Sequence, residues 1–174
     1  MHRRDFLIRI AGLVAAPVVL AGSLRRLAAG SGDAPDVEPL EKSLEEWQRL
    51  LSPEQYNVLF EEGTERAFSS PLDDEKRDGT FLCAACNLPL FEATTKYDSH
   101  TGWPSFMEPI PGHLGTKTDF RIGYPRTEYH CGRCGGHQGH IFDDGPPPAG
   151  KRYCNNGVAL LFVPAGEELP ELRE

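Results

Sequence analysis

Apolar positions recur at helical spacing in two short stretches, and past Gly79 the chain changes to brief β-type runs broken by glycine and proline. Ser43-Leu-Glu-Glu46 is a capping-box pattern, in which a serine and a glutamate satisfy each other's backbone amides; it predicts a helix running through Leu51. Ser52-Pro53-Glu54 predicts a second helix, with serine as N-cap and proline in the first turn. Tyr56, Leu59 and Phe60 fall on its buried face, and Gly63 ends it. The predicted strands are Thr80-Phe81-Leu82, Asp119-Phe120-Arg121-Ile122, Tyr129-His130, Gly139 to Phe142 and Val158 to Val163. Residues 30–40 are polar and contain Pro and Gly, as a linker would, and residues 166–174 form a tail expected to be loose.

A chain of 174 residues with 39% hydrophobic content, 18 Gly and 15 Pro fits one turn-rich domain, mainly β with some helix, over residues 41–165. The net charge is −8, and residues 1–29 contribute +4, so the remainder carries −12. A surface that acidic does not suit binding to nucleic-acid phosphates. Met1-His-Arg3-Arg4-Asp-Phe6-Leu7-Ile8 matches the twin-arginine export pattern, and residues 1–29 are read as that signal segment. The apolar stretch behind it, Ile10 to Gly22, is shorter than the roughly 20 residues of a membrane span. Cleavage is expected after Val19-Leu20-Ala21 or near Ala28-Ala29-Gly30, and Ser23 stands where a lipidated cysteine would be, which excludes lipidation there. The expected location is the periplasm or the outer face of the inner membrane. Export in the folded state would let a metal load in the reducing cytoplasm.

The chemistry lies in five cysteines. Cys83-Ala-Ala-Cys86 and Cys131-Gly-Arg-Cys134 are two C-x-x-C turns separated by 44 residues, the spacing of a structural tetrahedral zinc site, one ion per chain. Cys154 stands alone in Lys151-Arg152-Tyr153-Cys154-Asn155-Asn156. A thiol near Arg152, with His137 and His140 in the preceding segment, has the ingredients of a nucleophile with a lowered pKa.

Tyr97-Asp-Ser-His-Thr-Gly-Trp-Pro-Ser-Phe106, Gly136-His-Gln-Gly-His-Ile-Phe-Asp-Asp144-Gly-Pro146 and Arg152-Tyr-Cys-Asn-Asn156, interleaved with both C-x-x-C turns, closely resemble methionine sulfoxide reductase B, the R-epimer-specific family. The resemblance runs from about Ser43 to Pro164. It implies two antiparallel β-sheets with short amino-terminal helices, stapled by zinc, and thiol-dependent reduction of methionine-R-sulfoxide, in proteins more than as the free amino acid. By motif position it makes Cys154 the catalytic nucleophile. His140, with His137 close by, becomes the binder of the sulfoxide oxygen and its proton donor. Asp144, Arg152 and Asn156 become orienting groups, and Trp103 the wall for the substrate's S-methyl group. The attack would leave Cys154 as a sulfenic acid.

Two positions depart from the family pattern. Thr101 occupies the place of a resolving cysteine, so an external thiol, a thioredoxin-like protein or a small molecule, is expected to reduce Cys154 directly. Asn155 replaces the apolar residue that commonly follows the nucleophile, a change expected to touch only local packing. The expected partners are oxidised proteins, and the chain is expected to act as a monomer.

Overall fold

A computed structural model describes residues 35–174, so the export segment, its cleavage sites and the start of the linker lie outside the described residues. Two helices precede nine strands: α1 Leu44–Leu50, α2 Pro53–Glu61, then β1 Gly79–Cys83, β2 Pro89–Glu92, β3 Lys96–Tyr97, β4 Ser105–Phe106, β5 Leu114–Asp119, β6 Arg126–Cys131, β7 His137–Phe142, β8 Arg152–Asn155 and β9 Leu160–Pro164. No helix among the described residues is long and apolar enough to cross a membrane.

Both helices start at complete capping boxes, Ser43 with Glu46 and Ser52 with Gln55. Such a cap is worth about 1 kcal/mol, too little to hold helices of seven and nine residues alone. Packing holds them instead. Trp47, Tyr56, Val58 and Leu59 are buried, and Phe60, only partly buried, stacks on the Trp47 ring at 5.1 Å. The left-handed residue that ends α2 is Glu62, φ 55°, rather than Gly63. Gly63 is needed for close approach, since a β-carbon there would lie 2.0 Å from the Asn57 amide oxygen.

The strands form two antiparallel sheets, as the family resemblance implies: β2-β1-β9 and β3-β4-β8-β7-β6-β5. Aromatic rings join them. Phe91 of the small sheet stacks on Phe106 of the large one at 4.1 Å, Phe81 meets Phe106 edge-on at 5.0 Å, and Tyr129 and Tyr153 close the cluster. This packing fixes which way the large sheet faces. Successive side chains alternate across a strand, so with Tyr129, Ile141 and Tyr153 turned to the core, Glu128, His140, Arg152 and Cys154 share the other face.

Three sequence expectations change. Asp119-Phe-Arg-Ile122 is not a strand. Asp119 ends β5, its carboxylate accepts the Arg121 amide at 2.7 Å, and the chain turns at Gly123, φ +89°. The linker is docked from Asp36, whose amide donates to Gly112, and Leu40 bonds Arg133 in the same way. The tail is not loose: Arg173 donates its amide to Cys86 and accepts from the Arg133 side chain, and Glu171 accepts from Asn87. Short strands with no apolar run, such as β3 and β4, gave no periodic signal in the sequence.

Candidate active site and metal centre

The two C-x-x-C turns have the same backbone. In each, the first cysteine's amide donates to the carbonyl five residues on, Leu88 or Gly136. The residue four on, Asn87 at φ 62° or Gly135 at φ 72°, donates back in the left-handed conformation. These turns bring Sγ of Cys83, Cys86, Cys131 and Cys134 within 4.8 Å of one another, with closest pairs at 3.5 and 3.6 Å. Four thiolates around one tetrahedral ion at metal–sulfur distances of about 2.3 Å lie about 3.8 Å apart, so the cluster fits a metal ion. All five cysteines are free, and burial pushes the Cys83 thiol well above its ordinary range, so ionising all four needs a bound cation. Gln138 donates to Cys83 Sγ at 3.4 Å.

Asn155 accounts for more than local packing. It is buried and donates to Gln138 Oε1 at 3.2 Å and to the Asn156 carbonyl at 2.8 Å, while its own oxygen accepts from the Tyr129 hydroxyl at 2.7 Å. Every polar atom of the amide is therefore satisfied. The same bonds run from the residue after Cys154, through Gln138, to Cys83 of the four-cysteine cluster.

Cys154 and His140 are directly opposed across β7 and β8, which places both side chains on one face. Gly139 permits that pairing, because a β-carbon there would lie 1.8 Å from the Cys154 carbonyl oxygen. Cys154, His140 and Trp103 line one cavity of about 130 Å³ with Phe142, Asn156 and Thr64. Thr64, Arg126 and His140 also line a neighbouring polar cavity of about 330 Å³ that contains His137, Asp119 and Glu128. Of the sequence-predicted residues, Cys154, His140, Trp103 and Asn156 share the smaller cavity and His137 lines its neighbour, while Arg152 and Asp144 line neither.

Arg152 holds Asp144 through two bonds of 2.8 Å, with its guanidinium 4.4 Å over the Phe142 ring. Asp144 itself is 60% exposed at its side chain, and Arg152 keeps its carboxyl below the usual carboxylate range. The expected effect on Cys154 is reversed by burial. Burial pushes the Cys154 thiol up and outweighs Arg152, whose charge is already engaged by Asp144, itself a further raising influence. His137 Nδ1 lies 3.1 Å from Glu128 Oε1 without hydrogen-bond alignment, and Glu128 also meets Lys117 at 3.1 Å. Asn156 accepts from the Glu65 amide at 3.0 Å and donates to the Gln138 carbonyl at 2.9 Å. Trp103 donates its indole N–H to the Glu65 carbonyl at 3.2 Å.

Glu65 was not legible in the sequence. Its carboxylate accepts from the Gly157 and Val158 amides at 2.6 and 2.9 Å, so one residue from the α2–β1 connection ties Trp103 to the segment after Cys154. Asp119 was placed only in a strand, yet it accepts from Arg126 at 2.5 Å and bonds His140 at 2.8 Å. The Gly123-Tyr-Pro125 turn signal between Asp119 and Arg126 was the available sign of a closed hairpin.

Fold and site together define a two-sheet β protein, with a four-cysteine cluster that fits a metal ion, that presents one separate cysteine opposite a histidine in an aromatic-walled cavity. Residues 51–164 match the SelR domain, and the chain belongs to that family. A relative from Pseudomonas fluorescens named peptide methionine sulfoxide reductase MsrB is 51% identical over 129 residues, 74% of this chain and 99% of its own. Relatives of the same name from Pseudomonas syringae pv. syringae and Agrobacterium fabrum are 50% and 49% identical, over 74% and 71% of this chain and 98% and 92% of their own.

Proposed function

We propose that this protein reduces the R epimer of methionine sulfoxide in oxidised proteins, with Cys154 as nucleophile. The observation that carries the reading is the Cys154–His140 opposition across β7 and β8 in a cavity walled by Trp103 and Phe142. Reduction needs a soft nucleophile for the sulfur, a proton for the oxygen and an apolar wall for the methyl group. Burial raises the Cys154 thiol and lowers the His140 ring below its ordinary range, so the resting pair at neutral pH is thiol and neutral imidazole. His140 then takes the Cys154 proton as sulfur attacks and passes it to the sulfoxide oxygen. The sulfur–oxygen bond of the substrate breaks as an S–OH bond forms on Cys154. Thiol plus sulfoxide gives sulfenic acid plus methionine, with no net change in protons.

Asp144 restrains Arg152 over Phe142, Asn156 ties the nucleophile's segment to Glu65, and His137 lies beside His140 at 5.4 Å between ring centres. These contacts support orienting roles for all three. Thr101, whose hydroxyl bonds Ser99 at 2.8 Å, cannot resolve the sulfenic acid, and the other four thiols gather at the metal centre. Two external thiols restore Cys154, leaving as a disulfide with one water. Zinc is the ion that four thiolates at these spacings suit; bound there it supplies folding energy and takes no part in the reaction. The paired arginines at Arg3-Arg4 support export to the cell envelope, where the protein would act as a monomer. Export of a reporter fused to residues 1–35 in cells without the twin-arginine translocase would contradict that route.

The test is turnover of separate R and S epimers of a blocked methionine sulfoxide, with dithiothreitol as reductant. Turnover of R alone is expected, by at least about 100-fold over S, since the S epimer exchanges the oxygen and methyl positions and leaves site groups unpaired. Equal turnover, or none by folded metal-loaded protein, contradicts the reading.

A further inference from the structure

The β5–β6 hairpin carries an ion pair that the reaction as proposed above does not use. Asp119 and Arg126 are register partners at the end of this hairpin, and both side chains reach His140's face of the sheet. Asp119 is buried and holds three donors: the Arg121 amide at 2.7 Å on one carboxylate oxygen, with Arg126 at 2.5 Å and His140 Nε2 at 2.8 Å on the other. Its carboxyl is held well below the ordinary range by these donors, so it remains a carboxylate and can only accept. The hydrogen in the His140 contact therefore belongs to the ring. No protein group among the described residues bonds His140 Nδ1.

We propose that Asp119, itself fixed by Arg126, is the positioning residue that sets the tautomer of His140: Nε2–H is committed to the carboxylate, and Nδ1 is the nitrogen that takes the Cys154 proton and gives it to the sulfoxide oxygen. The carboxylate also stabilises the imidazolium formed midway through that transfer, as an orienting acid does for a general base. The charged and titratable groups facing His140 are Asp119 from β5, Arg126 and Glu128 from β6, His137 from its own strand and Cys154 from β8, with Glu62 after α2 and Arg121 after β5 lining the same cavity. Of these, Asp119 raises the ring's pKa, while Arg126 and His137 lower it. Replacing Asp119 by a neutral group must therefore move the His140 titration to lower pH.

The inference rests on the proposed reaction for its catalytic meaning, but its first readout does not. Long-range ¹⁵N–¹H spectra of the histidine side chains in the full zinc-loaded chain report the His140 tautomer and its titration midpoint. The wild-type ring is expected as the Nε2–H tautomer. In Asp119→Asn the midpoint falls, the tautomer becomes mixed, and single-turnover methionine release slows about 10- to 100-fold, with the sulfoxide KM little changed. Arg126→Lys keeps the carboxylate and should retain the wild-type tautomer. A wild-type ring carrying Nδ1–H overturns the proposal without recourse to any variant. So does an Asp119→Asn protein with unchanged midpoint and tautomer, whatever its rate. Failure of wild-type protein to turn over either epimer would instead sink the proposed reaction and leave the tautomer result standing.

Discussion

Cys154→Ser is expected to abolish methionine sulfoxide reduction, by on the order of 10⁴-fold or more, while the protein still binds metal and melts as the wild type does. The size follows from the chemistry. Attack on sulfoxide sulfur needs a polarisable nucleophile that can hold the departing oxygen as a sulfenic acid, and a serine hydroxyl offers neither property. The structural cost is small, because Cys154 is only partly buried and serine keeps the strand and its pairing to Ser105 and His140. The metal centre is separate in composition: its four sulfurs come from Cys83, Cys86, Cys131 and Cys134. Turnover with dithiothreitol, zinc content and a thermal melt check the three parts together. Residual activity within about 100-fold of wild type would mean that another group carries the reaction.

The second large effect concerns the metal. Stripping it, or changing Cys86 to Ser, is expected to unfold the domain or lower its melting temperature by about 20 °C. Binding at a structural zinc site is worth about 10–16 kcal/mol in small peptides, against about 5–15 kcal/mol for the whole stability of a typical domain. Even half of that value, at about 4 °C per kcal/mol, exceeds what the aromatic core can absorb. Cys83 ends β1 in one sheet, Cys131 ends β6 in the other, and the tail is bonded to Cys86, so losing the ion frees the ends of both sheets at once. Circular dichroism melts before and after chelation, with released zinc counted by a colorimetric dye, measure this. An apo-protein melting within a few degrees of the holo-protein would refute it.

What could be read from the sequence was local. Both capping boxes lie within four residues, and each C-x-x-C turn sets its own geometry, so Ser43, Ser52 and the four metal-site cysteines were visible as patterns. The Cys154 neighbourhood was visible because His140 and Arg152 sit on adjacent strands and Asp144 lies in the connection between them. Glu65 was not, since it meets Trp103 and Gly157 across 38 and 92 residues of chain, with no local pattern to announce either bond. Asp119 was hidden by its segment, where Phe120 and Ile122 mimic the alternation of a strand but are exposed at a turn. The charge on Arg152 was legible, but its commitment to Asp144 was not. Nor was the burial of Cys154, which raises its thiol although Arg152 still pulls the other way.

In the proposed reaction Cys154 acts as a one-cysteine reductant, with the other four thiols gathered in one cluster. The most direct measurement is the mass of the Cys154 peptide after zinc-loaded protein meets excess methionine-R-sulfoxide without reductant, with released methionine counted in parallel. One methionine per chain and a gain of about 16 Da at Cys154, the mass of one oxygen, is the predicted result. A loss of about 2 Da shared between Cys154 and a metal-site cysteine, or methionine released with Cys154 unmodified, would contradict it.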